Sequence, residues 1–264
     1  EKIVRIAKKH NLFVIEDACQ APTATLNGKY VGTFGDVGIF SLNKHKHINT
    51  GEGGVAVTDD KDLAERLRLV RNHGEVTADS RKFKNLINTF GFNLRLGEIE
   101  SAMGIEQLKK LNCLVKNRIE IVDYMTKKLR DYNEFIDIPF VDENSKHVYY
   151  LYAMKYKRAP GMPHRDKIVE YLCDEGVPVR SGFQKPLYLL EMFQNKIAYG
   201  SGGCPFTCPM YHGSVSYHKG QCPVVERIEN EEMITFHIEH FDLSKEDVDK
   251  IHLAFGKVLS SIRQ

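Results

Sequence analysis

Two short stretches of this chain set groups capable of chemistry at the ends of strands. Phe40-Ser41-Leu42-Asn43-Lys44-His45-Lys46-His47-Ile48-Asn49-Thr50-Gly51-Glu52-Gly53-Gly54 puts a primary amine, Lys46, between an apolar strand and a glycine-rich turn that opens another strand. Phe13-Val14-Ile15-Glu16-Asp17-Ala18-Cys19-Gln20 ends a second apolar strand on two carboxylates. A lysine held rigidly past a strand end, desolvated or beside positive charge, has a lowered pKa and can attack a carbonyl to form a Schiff base. An aspartate at a neighbouring strand end can keep a pyridine nitrogen protonated, which makes the ring a better electron sink. Lys46 on the aldehyde and Asp17 on the ring nitrogen would thus hold the two ends of a pyridoxal ring. Lys44 competes for the nucleophile's role, and spacing alone does not exclude it. Gln20, three residues past Asp17, is suited to the ring's phenolic oxygen, and Ser41, five residues before Lys46, to a phosphate. No glycine- or serine-rich helix start offers the usual phosphate cradle.

The elements that must position these groups alternate at the start of the chain. A helix with the apolar face Ile3, Val4, Ile6 and Ala7 ends near Asn11, and strands are expected at 12–15, 37–42 and 54–58. A helix running straight into a strand is the second half of a βαβ unit whose first strand would precede residue 1, so the chain reads as a fragment or shortened form. Asp60 can cap a helix over 61–71, with Leu63, Leu67 and Val70 at helical spacing. Residues 72–96 form a long polar connection of the kind more often functional than idle. Two helices are expected next, over 97–111 (stripe Ile99, Met103, Leu108, Leu111) and 117–132 (stripe Ile119, Val122, Met125, Leu129). The pattern then changes to a strand over 148–154, a helix over 165–175, a strand over 233–238 and a final helix to about residue 260. Ser244 and Asp247 form its capping box. The fold class is α/β: residues 1–116 as part of a large domain with a mostly parallel sheet and flanking helices, then a smaller α+β domain over 117–264.

Bulk properties narrow the function. The 264 residues are 42% apolar and 27% charged, the balance of an ordinary soluble protein with a sizeable core. A net charge of +2 gives no reason to invoke nucleic acid, and no apolar run is long enough to span a bilayer. The six cysteines in a chain of this size suit reduced thiols and a cytoplasmic location rather than a disulfide framework. Cys204 and Cys208, with His212, His218 and Cys222, prompt a zinc reading, but C-x3-C is not one of the stronger zinc spacings and no metal is expected. That stretch reads better as a Gly- and Pro-rich loop over an active-site mouth.

Taken in order, several motifs resemble the DegT/DnrJ/EryC1/StrS aminotransferases, the sugar aminotransferases among the fold-type I pyridoxal phosphate enzymes. They are Glu16-Asp17-Ala18-Cys19-Gln20-Ala21, Val31-Gly32-Thr33-Phe34-Gly35-Asp36, Phe40-Ser41 with Lys46 and Thr50-Gly51-Glu52-Gly53-Gly54, Arg71-Asn72-His73-Gly74, Gly91-Phe92-Asn93-Leu94-Arg95-Leu96 and Cys222-Pro223-Val224-Val225-Glu226-Arg227. The resemblance implies that Lys46 is the Schiff-base lysine and then the base that moves a proton between substrate and cofactor. It implies Asp17 at the pyridine nitrogen, Gln20 at the ring oxygen and Ser41 at the phosphate. Asn93 would reach the phosphate of the neighbouring subunit in a homodimer. It also implies a family N-terminal part with no counterpart here. The function expected is transfer of an amino group, with glutamate as donor, onto a keto sugar carried on a nucleotide. Two alternatives stand beside it. One is a sugar dehydratase, whose branch of the family has histidine at the lysine position. The other is a truncated chain that binds or regulates without catalysis.

Overall fold

A computed structural model describes residues 1–75 and 90–262. The chain divides into two compact units: residues 1–122, 140–150 and 239–242 form the first, and residues 123–139, 151–238 and 243–264 the second.

In the first unit, helix α1 (Lys2–Lys9) is followed by strand β1 (Ile15–Asp17). The strand begins three residues later than expected because other bonds take the preceding backbone: Leu12 N–H donates to Ala7, and Val14 N–H to the Asp36 carboxylate at 2.7 Å. A small hairpin, β2 (Thr25–Leu26) and β3 (Lys29–Tyr30), turns on Asn27-Gly28, both at positive φ, the turn chemistry this dipeptide favours. Strand Ser145–Lys146 pairs with β2 on its other side. Strand β4 (Val37–Ser41) lies centrally between β1 and β5 (Gly54–Val57), parallel to β1 and antiparallel to β5. This described sheet is therefore mixed rather than mostly parallel. The connection 42–53 contains no crossover helix, so β5 must return beside β4 in the opposite sense.

Helix α2 (Lys61–Arg71) starts where Asp60 accepts the Leu63 N–H at 3.0 Å. The connection expected over 72–96 lies partly outside the described residues. Its two ends meet: His73 N–H donates to Phe92, Phe92 N–H to Val70 and Leu94 N–H to Arg71, while Arg95 reaches Asn72 Oδ1 at 2.7 Å. A Cβ on Gly91 would fall 1.8 Å from the Gly74 nitrogen, so this crossing needs glycine.

Helix α3 (Glu98–Leu129) is one 32-residue helix, not two. No Gly or Pro interrupts 105–128, and the buried stripe Leu111, Val115, Val122, Met125, Leu129 runs through the expected break. Ile99, Met103 and Leu108 are exposed instead, so the stripe expected at the helix start is not buried. In the first unit Leu111 and Val115 join Ala24, Leu42, Ile48 and Val148 in a small core.

The second unit is an antiparallel four-stranded sheet in the order 136–137, 152–156, 233–236, 179–181. The strand expected over 148–154 begins at Tyr152, because Tyr149 has φ +51° and cannot extend. Helices Arg165–Asp174 and Lys245–Ser261 pack against each other, the second opened by the Ser244–Asp247 capping box. Tyr152, Met154 and Tyr156 alternate inward along their strand, Tyr152 and Met154 pair with Phe236 and Ile234, and these residues are fully buried together with Ile168, Leu172, Phe255 and Leu259.

Candidate active site

Lys46 stands in a loop that is bonded to itself and seated on a core. Leu42 and Ile48 anchor its two sides among Leu111 and Val115 of α3. Leu42 N–H donates to Gly53, Thr50 N–H to Leu42, and Lys46 N–H to Asn43 at 2.9 Å. Asn43 braces the loop further, accepting the His45 N–H at 3.1 Å and donating to Glu52 at 2.8 Å. Gly51 and Gly53 supply the positive φ that closes the turn (+84° and +152°), and Gly104 lets α3 approach Thr50. The two candidate lysines are now distinguishable. Lys44 is exposed, whereas Lys46 is half-buried with its Nζ 4.3 Å from the centre of the Tyr150 ring.

Glu16 and Asp17 face opposite ways, as alternation along a strand requires. The Glu16 carboxylate turns into the 32–35 segment and accepts backbone N–H groups from Gly32 at 2.9 Å and Gly35 at 2.6 Å, and from Phe34. It is therefore a structural clamp. In the β1–β4 register Asp17 sits opposite Ile39, two residues before Ser41, and accepts the Cys19 N–H at 3.1 Å. The Cys19 thiol and N–H hold the Asp17 carboxyl below its ordinary pKa, and the Lys46 ammonium adds to the effect. Burial and the Asp17 charge push the Cys19 thiol up to about 11. Asp17, Cys19 and Lys46 are thus close enough to feel one another's charge.

Ser41 is half-buried, and its Oγ accepts the Asn43 N–H at 3.1 Å, leaving the hydroxyl proton for another acceptor. Gln20 is exposed on the turn after Cys19. Asn93 is exposed and bridged to Asn72.

Three further residues here lie outside the site expected from the sequence. His47 is only 6% exposed, and its Nε2 lies 2.7 Å from the Val148 carbonyl, so Nε2 carries the proton. Burial drives its pKa down to about 4, with Arg118 and Lys46 adding to the fall, and the ring is neutral. Its Nδ1 has no partner. Tyr150, under the lysine, and Cys19, against the aspartate, complete the set. The one available signal for Cys19 was its place two residues past Asp17, where a backbone N–H commonly bonds the carboxylate. Nothing local pointed to Tyr150. Among the described residues, no group of three or more His, Cys, Asp or Glu is arranged to hold a metal ion.

Comparison with known proteins settles the lineage. The model of the DegT/DnrJ/EryC1/StrS aminotransferase family matches residues 1–232. The chain belongs to this family. It is 31% identical over 219 residues to GDP-perosamine synthase of Caulobacter vibrioides, a match covering 81% of this chain and 57% of that protein. It is 36% identical over 178 residues to the dTDP-3-amino-3,6-dideoxy-alpha-D-galactopyranose transaminase of Aneurinibacillus thermoaerophilus, covering 67% of this chain and 45% of that one. The X-ray structure of an aminotransferase from Psychrobacter cryohalolentis superposes with a TM-score of 0.80 at 25% identity, over 99% of this chain and 65% of that one. The chain thus spans about half the length of the curated relatives it matches, and it shares its α/β fold with the Psychrobacter cryohalolentis structure.

Proposed function

We propose that this protein is a pyridoxal phosphate-dependent aminotransferase that moves an amino group, with glutamate as donor, onto a keto sugar carried on a nucleotide. The observation that carries the reading is the half-buried Lys46 amine, held over Tyr150 at the end of β4 and within electrostatic reach of the ionised Asp17. Relatives named for the synthesis of GDP- and dTDP-linked amino sugars support the substrate class.

The residues present fit this cofactor. The Asp17 carboxylate, its pKa lowered further by Cys19, matches a protonated ring nitrogen, and Ser41 has a hydroxyl proton to offer a phosphate. When bound, pyridoxal phosphate supplies an electron-poor ring that takes up the charge left as a proton leaves the substrate carbon. The chain's part is to bind, orient and move that proton. Lys46 anchors the cofactor through Nζ and, once the donor has displaced it, serves as the base. The Tyr150 ring restricts where the amine can swing. Gln20 is assigned to the ring oxygen and Asn93 to the phosphate in the neighbouring subunit of a homodimer. Residues 1–116 would belong to the large domain of the fold-type I architecture and 117–264 to the small one. The location assigned is the cytoplasm. Among the described residues no helix is long and apolar enough to cross a membrane.

The dehydratase alternative requires histidine at the lysine position. His45 is exposed and His47 is turned into the core toward Val148, so neither stands in for Lys46. Incubating the cofactor-loaded protein with glutamate decides between them. Release of 2-oxoglutarate with conversion of the cofactor to its amine form is expected. Failure of that exchange, with loss of a sugar hydroxyl instead, contradicts the aminotransferase reading.

A further inference from the structure

A pair of thiols in the second unit stands apart from the Lys46 chemistry. The Sγ atoms of Cys204 and Cys208 lie 3.0 Å apart. A disulfide bond is about 2.05 Å long, so the sulfurs need to close by roughly 1 Å to join. Their turn is fixed from several sides. Phe206 and Thr207 N–H groups both donate to Gly203, Ala198 and Tyr199 N–H groups to Cys204, and Tyr211 N–H to Cys208. Phe206, between the two cysteines, packs in an aromatic trio with Phe193 and Tyr217, ring centres 5.2–5.9 Å apart.

The two sulfurs are not equivalent. Cys204 is half-buried and can meet a solute, whereas Cys208 is buried. The Cys204 S–H donates to Cys208, which with the Met210 N–H pulls the Cys208 thiol down, while Cys204 is pushed up. The remaining thiols lack this pairing. Cys19 and Cys173 direct theirs at the Ile39 and Val179 carbonyls, and Cys113 and Cys222 are exposed. Two sulfurs are also short of the four ligands of a structural zinc site.

We propose that Cys204 and Cys208 form a redox-active dithiol that closes into a reversible intramolecular disulfide by exchange with small disulfides of the glutathione type. Cys204, on losing its proton to solvent, attacks one sulfur of the small disulfide. That S–S bond breaks, one small thiolate leaves and is protonated, and Cys204 becomes a mixed disulfide. Cys208 then loses its proton to solvent, and its thiolate attacks the Cys204 sulfur, forms the protein disulfide and expels the second small thiolate, which is protonated in turn. Two protein thiols are oxidised and one small disulfide is reduced to two thiols. This modification site is independent of the aminotransferase reading.

The test equilibrates the folded chain in reduced and oxidised glutathione buffers, quenches with alkylating agent and analyses the tryptic peptide 197–219, which holds both cysteines. The expected result is a peptide lighter by two hydrogens, reverting under reduced glutathione and formed at least about tenfold faster in the folded chain than in urea. Cys208→Ser should stop at glutathione on Cys204, and Cys204→Ser should prevent closure. Because either variant can misfold, phenylarsine oxide provides a second reading on the unaltered protein: one equivalent should protect both cysteines from alkylation. Alkylation of both cysteines at the most oxidising ratio would overturn the proposal. So would equal rates in urea, or phenylarsine oxide that leaves the pair unprotected.

Discussion

The two units of this chain differ in where they spend their apolar side chains. The largest fully buried side chains among the described residues, from Met125 and Leu129 through Tyr152, Tyr156 and Phe236 to Phe255 and Leu259, all lie in the second unit. The first unit has a small core under the Lys46 loop, while Ile3, Ile6, Leu12, Phe13, Ile15, Ile99, Ile105 and Leu108 remain exposed on it. Yet the amine, the ionised carboxylate and the buried neutral histidine are all in the first unit. The contrast teaches that bulk cohesion and the candidate aminotransferase site reside in different units. The Lys46 loop is held by hydrogen bonds and a few anchors rather than by bulk packing.

That contrast can be broken by substitution. Lys46→Ala should lower the transamination rate by about 10³-fold or more, the scale of a lost acid–base group, with the melting temperature unchanged. A large fall in melting temperature would mean that Lys46 also holds the fold. Phe255→Ala should cost about 3–5 kcal/mol in urea unfolding, the cost of emptying a packed aromatic site. A cost below about 1 kcal/mol would show that the second unit does not carry the stability assigned to it.

A pH experiment sharpens the comparison inside the first unit. The folded His47 accepts a proton only near pH 4, whereas in the unfolded chain it does so near its ordinary 6.5. The unfolded state therefore binds more protons between these values. Its His47-dependent stability is complete above about pH 6.5 and falls toward pH 4, by up to about 3 kcal/mol. His47→Gln can keep a donor for the Val148 carbonyl but has nothing to titrate. The difference in stability between the original protein and this variant should move with pH in that window, and a flat difference would remove His47 from the account. The smallest effect expected is at Asp60→Ala, about 1 kcal/mol from the lost cap of α2, read by chemical denaturation.

Features written in a few neighbouring residues were legible before the fold was seen. Asp60 before the helix of Leu63 and Leu67, and Ser244 with Asp247, signal their helices through contacts three residues apart. The strand–lysine–glycine order around Lys46 is equally local. What could not be read depends on distant partners. The contact of His47 with Val148 spans 101 positions, and the ring beneath Lys46 comes from the same distant segment. The start of β1 was misplaced because the Asp36 side chain captures the Val14 N–H from 22 residues away. The break expected inside α3 had no Gly or Pro to make it, only a polar patch on a face that stays in solvent. Ile99, Met103 and Leu108 were misjudged because helical spacing identifies a face but not what covers it.

The central claim is that Lys46, and not Lys44, is the amine that bears the cofactor. The most direct measurement is to incubate the protein with pyridoxal phosphate, reduce it with borohydride and map the labelled residue by peptide mass spectrometry. A single pyridoxyl group on Lys46 is the predicted result. Label on Lys44, label scattered over surface lysines, or none at all would contradict it.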